Sequence, residues 1–416
     1  MFKFLSIILV SITLSFIACK QKGGKEKSDG RDVFSFATGS SIQELPNDSM
    51  VRIVIPKSIN HEQSVKVSNL IKNLSYIKLE TTDDCLIGEI TDVKFFNGRI
   101  YIMDNRISKK VFCFDISGKF ISLIGKKGDG PGEMDDPLSF SITKGGIDIL
   151  DRQNRIFSYN EQGEYQKMFR LPMMASAIQS LDESKLLIYS NDINVEKKLQ
   201  YHLVCWDKKS NTITSKINYM DCGYTVGDEP FGLYQNHNTI LYHRIFSDTV
   251  FHLIEGKTLK PSFLIDFDGQ GIPKSFLNNP SKLTATFSDD KFNMLFSPFI
   301  ETDSFFIFST GKKYRNSHFY SKKEKKQACF NTISDDLFYG GFRPLSPITT
   351  LNDKMVFIVN LPYLMQKYSK IISSKDTKLI NQFLIERSLF MKIGSLSKED
   401  DNPILLLANI NSAIFN

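Results

Sequence analysis

The chain has 416 residues, of which 41% are hydrophobic and 24% charged, an ordinary globular composition that argues against a disordered or fibrous protein. Its formal net charge of +6 comes from lysines in probable turns and in the N-terminal segment, with no basic helix or interleaved aromatics, which argues against a nucleic-acid-binding protein. Phenylalanine occurs 34 times against a single tryptophan, and this favours β-strands, which accommodate aromatic side chains well.

The first residues predict an export signal. Lys3 supplies a positive start, and residues 5–18 form an apolar stretch shorter than the ~20 residues of a membrane-spanning helix. Ala18 precedes Cys19, and Phe-Ile-Ala-Cys at 16–19 resembles a bacterial lipobox, in which the cysteine is acylated; phenylalanine is unusual at its first position. We therefore predict a lipoprotein signal peptide over residues 1–18 and lipidation at Cys19. The alternative is a plain secreted protein in which Cys19 has no such role.

Residues 19–48 are predicted to be a flexible tether. The stretch from Lys20 to Gly30 is rich in lysine, glycine and serine and has no apolar residue, as expected between a lipid and a folded domain. These segments predict a protein of the cell envelope, lipid-anchored at the outer membrane on the periplasmic or the surface side. Residues 49–416 are left for the folded domain.

Five further cysteines occur, at positions 85, 113, 205, 222 and 329. An odd number leaves at least one unpaired in an oxidising compartment. None forms a CxxC pair and none has a histidine at metal-ligand spacing, so the sequence predicts no metal site. We interpret these cysteines as small apolar residues buried in strands.

A repeat follows the tether. Four aromatic-rich segments begin at Val111, Ile156, Leu203 and Val250, at offsets of 45, 47 and 47 residues. A second β-rich run precedes each segment, and a glycine turn and a third run follow the first two. About four short strands in a ~45-residue unit are typical of a β-propeller blade.

The later repeats are weaker. Residues 304–309 and 354–359 begin a fifth and a sixth unit, whereas apolar residues at three-to-four spacing predict a helical insertion at about 362–394. Strand character returns at 403–409, and the ~290 residues outside the insertion correspond to about six blades. We therefore predict an all-β fold, a six-bladed β-propeller of four-stranded antiparallel blades over residues 49–416, with a short helical insertion near the C-terminus.

Ring closure has two candidate strands. A closed propeller pairs the first and last strands of the chain and so removes exposed edges. Residues 74–79 are well placed to complete the blade that residues 403–409 end, and residues 51–55 could do the same or add an edge strand. The sequence does not choose between them.

Four stretches are similar to motifs of the six-bladed β-propeller lipoproteins of Gram-negative gut anaerobes, which are related in pattern to NHL-repeat propellers. The most specific is residues 124–133, Ile-Gly-Lys-Lys-Gly-Asp-Gly-Pro-Gly-Glu, which follow the family pattern G-x-x-G-x-G-P-G-E. The others are residues 76–80, residues 246–251 with 260–266, and residues 401–405. The resemblance covers about Leu70 to Asn409 and implies the fold and an envelope location. It implies no chemistry, because the family has no agreed catalytic residues.

Alternating hairpins predict two unequal faces of the ring. Asn97-Gly98 and Ser117-Gly118 would form tight turns on one face, while the loops between the second and third strands and the connectors between blades would gather on the other. Convergent polar groups around a concavity are the default hypothesis for a ligand site. The candidate binding residues on that second face are Arg106, Lys127, Asp129, Glu133, Arg155, Arg244 and Asp248.

Each candidate also has a structural interpretation. Gly128, Gly130 and Gly132 could cradle a phosphate, but such loops normally open a helix, so a turn that needs positive φ is favoured. Arg155 and Asp248 could be hydrogen-bonding groups within their blades. Asp104 and Asp151 occupy equivalent repeat positions, which favours turn caps.

The predicted function is non-catalytic. His202, His237, His243 and His252 lie in or beside strands, without a serine or cysteine placed as a nucleophile, so no catalytic residue and no cofactor is predicted. We expect a monomeric binding or scaffold lipoprotein whose partner is a glycan, a peptide or an envelope protein. An envelope sensor or assembly factor without a small ligand is a further possibility. A propeller-fold lyase or hydrolase acting on a glycan or peptide is the alternative, since propellers host such chemistry by loop variation.

Overall fold

The computed structural model describes residues 40–46, 50–56, 63–171, 173–190, 201–218, 233–236, 239–244, 246–276, 282, 291–312, 315–338 and 347–415. The predicted signal peptide, Cys19, Cys222 and His237 lie outside these residues.

Six four-stranded antiparallel units follow one another along the chain, which confirms the predicted six-bladed β-propeller. In each blade we label the strands a to d from the innermost to the outermost. Their bounds are Asp92–Phe96, Arg99–Asp104, Lys110–Asp115 and Phe120–Ile124 in blade 1; Pro137–Thr143, Gly146–Asp151, Arg155–Tyr159 and Tyr165–Arg170 in blade 2; Ala177–Ser180, Lys185–Tyr189, Tyr201–Asp207 and Thr212–Asn218 in blade 3; Leu233–Asn236, Thr239–His243, Thr249–Ile254 and Thr258–Asp266 in blade 4; Met294–Glu301, Phe305–Gly311, Arg315–Ser321 and Lys326–Phe330 in blade 5; and Thr349–Leu351, Lys354–Val359, Ile404–Ile410 and Ile71–Lys78 in blade 6.

The repeated aromatic runs in the sequence are the middle strands of the blades. These strands pack against a neighbouring blade on each side, so Gly146–Asp151 is buried at every position, its two aspartates included. The outermost strand of the same blade, Tyr165–Arg170, buries only Phe169. Burial on both faces therefore explains why strands b and c are the most readable part of each repeat.

The core is divided among the blade interfaces. Six hydrophobic clusters occur, one between each pair of adjacent blades. At the interface of blades 4 and 5, for example, the rings of Phe263 and Phe306 stack with centroids 3.9 Å apart. The many phenylalanines of this chain thus fill the wedges between blades, which are wide enough for an aromatic ring.

Ring closure uses the later of the two candidate strands. Ile71–Lys78 pairs antiparallel with Ile404–Ile410, with Lys78 opposite Ile404 and Ile71 opposite Ile410. The first described strand of the ring and the last strand of the chain therefore share one sheet. Val51–Val54, the other candidate, instead pairs in parallel with strand d of blade 4.

A belt of short strands precedes the closing strand. Ser40–Ser41 pairs in parallel with strand d of blade 3, Gln43–Glu44 with strand d of blade 4, and Ser64–Lys66 with Thr332–Ser334, just beyond blade 5. Within residues 19–48, the range predicted as a tether, Ser40–Ser41 and Gln43–Glu44 are strands at the propeller edge. Parallel pairing supplies partners for backbone groups that these outer edges would otherwise expose.

Helices occur mainly where the sequence predicts them. A short helix α1 spans Val67–Leu70, and the insertion forms α2 over Leu361–Ser373, α3 over Thr377–Glu386 and α4 over Ser388–Leu396, between strands b and c of blade 6. Two short 3₁₀ turns span Lys274–Phe276 and Ser412–Phe415. Among the described residues, no helix combines the length and the apolar character needed to cross a bilayer.

The two faces of the ring differ as the hairpin pattern predicts. On the turn face, strands a and b of blade 1 are joined through Asn97 and Gly98, with φ of 48° and 68°. Positive φ at both central residues is the type I′ geometry that suits a two-residue hairpin. The connector face carries the loops between strands b and c and the connectors between blades, of which residues 125–136 are an example.

Asn402, just before strand Ile404–Ile410, hydrogen-bonds to residues 80–87, which follow the closing strand Ile71–Lys78. Loss of its side chain should therefore weaken the closed ring. Its side chain is 1% exposed, donates to the carbonyls of Glu80 and Cys85 at 2.6 and 2.8 Å, and accepts from the Ile87 amide at 2.8 Å. Asn402→Ala removes three hydrogen bonds from a buried position, so we expect a loss of about 2–4 kcal/mol in the free energy of unfolding, measured by chemical denaturation. The exposed Asn69→Ala is the control and should change stability by less than about 0.5 kcal/mol. Equal stability of both variants would contradict this role for Asn402.

Candidate functional site

An open channel runs through the centre of the ring. Its volume is about 1110 Å³, and residues from all six blades line it. The strands a supply most of the wall, and b–c loops on the connector face extend it. A concavity of this size, with polar groups converging from several elements, is the default candidate for a ligand site.

The described lining is mostly uncharged. Asn105, Asn154 and Gln235 bring side-chain amides to it, and Ser139 and Thr349 bring hydroxyls. These groups alternate with apolar and aromatic side chains, so the wall offers both hydrogen bonds and flat apolar surface. Such a mixture is usual in sites for small organic ligands.

Charge in the described lining comes from four basic residues and one acidic residue. Lys94 and Asp92 lie on strand a of blade 1, with their charged atoms 3.4 Å apart. Arg99 begins strand b, where it donates to the carbonyl of Glu161 at 2.9 Å. Arg106 and Arg152 lie in the b–c loops of blades 1 and 2, at the connector-face mouth.

One of the seven predicted binding residues lines the channel. Arg106 stands at its mouth, where its side chain is 68% exposed and pairs with Glu89 at 2.9 Å. The other six lie on the loops and strand ends of the connector face without forming the described channel wall. Of the predicted polar face, only Arg106 is therefore part of the described channel lining.

The glycine-rich stretch at residues 124–133 forms a self-contained loop. Gly128 has a φ of 155° and Gly132 a φ of 76°, and a Cβ at Gly128 would lie 2.0 Å from the Glu133 carboxylate. That carboxylate accepts the Gly130 amide at 3.0 Å, and the Tyr159 hydroxyl donates to the Gly132 carbonyl at 2.9 Å. The Glu133 carboxylate thus accepts the Gly130 amide that a phosphate would otherwise meet, which favours the turn interpretation over a phosphate cradle.

Two charged residues of this connector remain at the surface. Lys127 is exposed and lies 3.4 Å from Asp136, which also pairs with Lys109 at 2.6 Å. Asp129 is exposed at the tip of the loop. Both side chains are accessible, but they stand outside the channel wall.

Arg155, Arg244 and Asp248 have partners within the fold. Arg155 is 12% exposed and lies 2.6 Å from the fully buried carboxylate of Asp151. The Arg244 guanidinium lies 3.3 Å from Glu44 of the belt and 5.5 Å from the ring centre of Phe251. Asp248 accepts from the Thr249 hydroxyl at 3.0 Å. Arg155 and Asp248 therefore hydrogen-bond within their own blades, whereas Arg244 pairs with the belt.

Lys94, Arg99 and Arg152 are lining residues that sequence reasoning missed. The repeat is most visible in strands b and c, so strand a of blade 1, with Lys94, attracts no attention in the sequence. Arg152 is in the same loop as Arg155, and the sequence does not distinguish their roles. In the fold Arg152 lines the channel, while Arg155 donates to the carboxylate of Asp151. A search for charges in the weakest strand of each repeat could have found Lys94.

The repeat-equivalent aspartates are turn caps, as predicted. Asp104 accepts from five backbone amides, those of Gly88, Glu89, Arg106, Ile107 and Ser108, at 2.8–3.1 Å. Burial by itself would raise the pKa of Asp104, but the amides of Ile107, Ser108 and Glu89 outweigh burial and hold the pKa below its ordinary value. Asp151 accepts from the amides of Gln153 and Arg155 at the equivalent turn of blade 2.

Histidines and cysteines are placed for packing. Burial lowers the pKa of His243 to about 4 and that of His318 to about 3, so both rings are neutral at pH 7. His252 pairs with Glu301 at 2.6 Å between blades 4 and 5, away from the described channel wall. Cys85, Cys113, Cys205 and Cys329 are free thiols, the first three of them buried. Within the described ranges, no group of three or more histidine, cysteine, aspartate or glutamate residues has the geometry to hold a metal ion.

Fold and channel together define a β-propeller with a ligand-sized central cavity. The chain belongs to the family described as "Domain of unknown function (DUF4934)", which matches residues 50–409. No curated protein matches it. The relation to NHL-repeat propellers stays a prediction.

One solved structure shares the fold, and two others match more weakly. A crystal structure from Bacteroides fragilis NCTC 9343, named "Putative exported protein", superposes with a TM-score of 0.64 at 23% identity, covering 88% of this chain and 100% of its own. U3-55K and the RRP9 WD40 repeats match at TM-scores of 0.40 and 0.41 with 12% and 11% identity. Each covers 82% of this chain, and 99% and 100% of the respective matched chains are covered. At 23% identity the likeness to the Bacteroides fragilis structure is one of fold alone.

Asp104→Asn tests the cap that shapes the channel mouth beside Arg106. The amide removes the charge that five backbone N–H groups solvate, so we expect a loss of about 1–3 kcal/mol at pH 7, measured by chemical denaturation. Because the folded pKa lies below the unfolded one, the wild-type advantage is complete above the unfolded pKa and disappears as pH falls through the folded pKa. The difference between the proteins should therefore shrink below about pH 4.

Asp129→Asn is the matched control for this cap, since Asp129 is exposed at a loop tip. It should leave stability within about 0.5 kcal/mol of wild type at every pH. A difference for Asp104→Asn that stays constant down to pH 2 would show that the charge of Asp104 does not act in this way.

Proposed function

We propose that this protein is an envelope lipoprotein whose propeller binds a ligand without chemical conversion, in the central channel and through its connector-face mouth. The observation that carries the proposal is the channel itself, about 1110 Å³ in volume and lined from all six blades. Its wall consists of strands held by sheet hydrogen bonds on rigid blades, which is a suitable support for a preorganised site. The ligand class is a glycan, a peptide or a segment of a partner protein.

The composition of the described lining favours binding over catalysis. Glycoside hydrolysis generally uses two carboxyl groups about 5–10 Å apart, and a metal site needs several histidines or carboxylates together. Among the described lining residues, Asp92 is the single carboxylate and no histidine occurs. This composition supports the binding role over the alternative of a propeller-fold lyase or hydrolase.

Attachment to the envelope is proposed from the N-terminus. The positive start at Lys3, the short apolar segment and Ala18 before Cys19 together form the pattern of a lipoprotein signal peptide. The similar Bacteroides fragilis protein is named as exported, which agrees with such a route. In this proposal residues 20–39 link the lipid to the belt that begins at Ser40.

Cys19→Ala tests the anchor. Without the acceptor thiol no lipid can be attached, so we expect the protein to move from the membrane fraction to the soluble fraction, measured by immunoblot after ultracentrifugation. Metabolic labelling with an alkyne fatty acid should label the wild type and not the variant. Retention of the variant in the membrane after detergent-free washing would place the anchor elsewhere.

Gln235→Trp tests the channel as the binding site. Gln235 lies on strand a of blade 4 with an exposed side chain in the channel, so an indole there narrows the passage without disturbing a packed core. Purified protein is screened on glycan and peptide arrays, and the affinity of every hit is measured by calorimetry. We expect Gln235→Trp to weaken each hit at least about tenfold, or by ~1.4 kcal/mol, with an unchanged melting temperature.

Gln166→Trp is the matched control, on the exposed outer strand of blade 2. It should bind as the wild type does. Unchanged affinity of the channel variant would place the site outside the channel. Turnover of a bound glycan or peptide by pure protein, abolished by a single substitution, would show an enzyme.

A further inference from the structure

The charged residues of the described channel wall are confined to one side of the ring. Lys94, Arg99 and Arg106 belong to blade 1, and Arg152 belongs to blade 2. Asp92, the single described carboxylate of the wall, lies on the same strand as Lys94. Within the described part of blades 3 to 6, no charged side chain lines the channel.

Positive charge remains on this wall after its ion pairs are counted. Asp92 offsets Lys94 at 3.4 Å, and Glu89 offsets Arg106 at 2.9 Å. Arg99 donates to a neutral backbone carbonyl, and no ion pair forms at Arg152 among the described residues. The Arg99 guanidinium is held at the interface of blades 1 and 2, beside Tyr101 and Glu161, so among the described lining residues Arg152 keeps an exposed guanidinium without an ion pair. Clefts with low-dielectric walls and charge of one sign focus the field and concentrate oppositely charged ligands.

The opposite wall is apolar and aromatic. Leu233 and Tyr234 of blade 4 and Pro298 of blade 5 line this side. Aromatic and aliphatic surfaces of this kind pack well against the flat apolar face of a pyranose ring. The channel therefore has a cationic wall and an apolar wall that face each other.

Uncharged hydrogen-bonding groups lie between the two walls. Asn105 stands at the connector-face mouth and Gln235 within the channel, and each of these side-chain amides can donate and accept at once. Sugar hydroxyls also donate and accept, so they can satisfy such amides. A purely aliphatic acid would leave these groups without partners, at a cost in affinity.

We infer that the channel takes an acidic oligosaccharide, whose carboxylate or sulfate groups face Arg152 while its sugar rings pack on the apolar wall. This inference rests on the proposed binding function and specifies its ligand class. The planar guanidinium of Arg152 matches both anionic groups, because it can donate two parallel hydrogen bonds to either.

The experiment compares ligands that differ in charge on one sugar scaffold. The probes are oligogalacturonate, its full methyl ester, a sulfated heparin oligosaccharide, a neutral malto-oligosaccharide and a glutamate-rich peptide, together with an array of acidic and neutral glycans. We expect at least one acidic glycan to bind about tenfold or more tightly than its neutral counterpart, and its affinity to fall as salt rises from 50 to 500 mM. The carboxylated and sulfated probes distinguish the two sources of negative charge.

Two arginine variants localise the charge effect. Arg152→Ala should weaken the acidic glycan about tenfold and leave the binding of neutral glycans unchanged. Arg170→Ala, at the exposed end of the outermost strand of the same blade, should bind as the wild type does. Melting temperatures of both variants should equal that of the wild type, because both side chains are exposed.

The outcomes separate this inference from the proposed function. Neutral glycans that bind as well as acidic ones, with no effect of Arg152→Ala, would overturn the acidic ligand and leave the binding function standing. Binding of the acidic peptide alone would also overturn it. If no glycan or peptide binds at all, the proposed function fails together with the inference.

Discussion

The propeller depends on one antiparallel strand pair, that of Ile71–Lys78 with Ile404–Ile410. These strands come from opposite ends of the folded domain, so every blade between them is held in a closed ring by their hydrogen bonds. The buried amide of Asn402 adds a second connection between the same two parts of the chain. Loop-closure entropy opposes the formation of such a long-range contact. Once formed, the strand pair leaves no open interface between the first and the last blade.

A closed ring requires that six interfaces pack equally well. Each has its own hydrophobic cluster, and each also has a polar contact that links neighbouring blades. Around the ring from blades 1 and 2, these contacts are Arg99 with the Glu161 carbonyl, Lys208 with Asp148, Ser215 with the Gly256 carbonyl, His252 with Glu301, Ser304 with Asp353, and the Phe120 amide with Glu80. The apolar clusters supply the packing energy and the polar contacts require specific partners, so together they favour one register of blade against blade.

The sequence predicts the fold well because blades repeat, and it predicts the site poorly because the channel wall does not. Strands b and c are buried on both faces, so their apolar runs recur at nearly constant offsets. Strands a vary in length from Thr349–Leu351 to Met294–Glu301, and their side chains are divided between a blade interface and the channel. Such a strand has no simple hydrophobic period, and for that reason the sequence does not predict Lys94 as a channel residue. Val51–Val54 and Ile71–Lys78 were equally plausible closing strands, since local pattern does not distinguish parallel from antiparallel partners.

The most distinctive motif of the chain proves to be a structural one, and this has a consequence for where specificity lies. Residues 124–133 need glycine because Glu133 and Tyr165 occupy the space of a side chain, and Glu133 satisfies the amide that a ligand would otherwise meet. Residues 76–80 and 401–405, two more of the motifs, form the ring closure. Motifs that any propeller of this kind needs for its architecture therefore carry no information about its ligand. The channel wall is different, because an exposed lining position such as Arg152 or Gln235 can change without disturbing a blade interface. Recognition by this protein is thus expected to depend on the strands and loops that the repeat leaves least constrained.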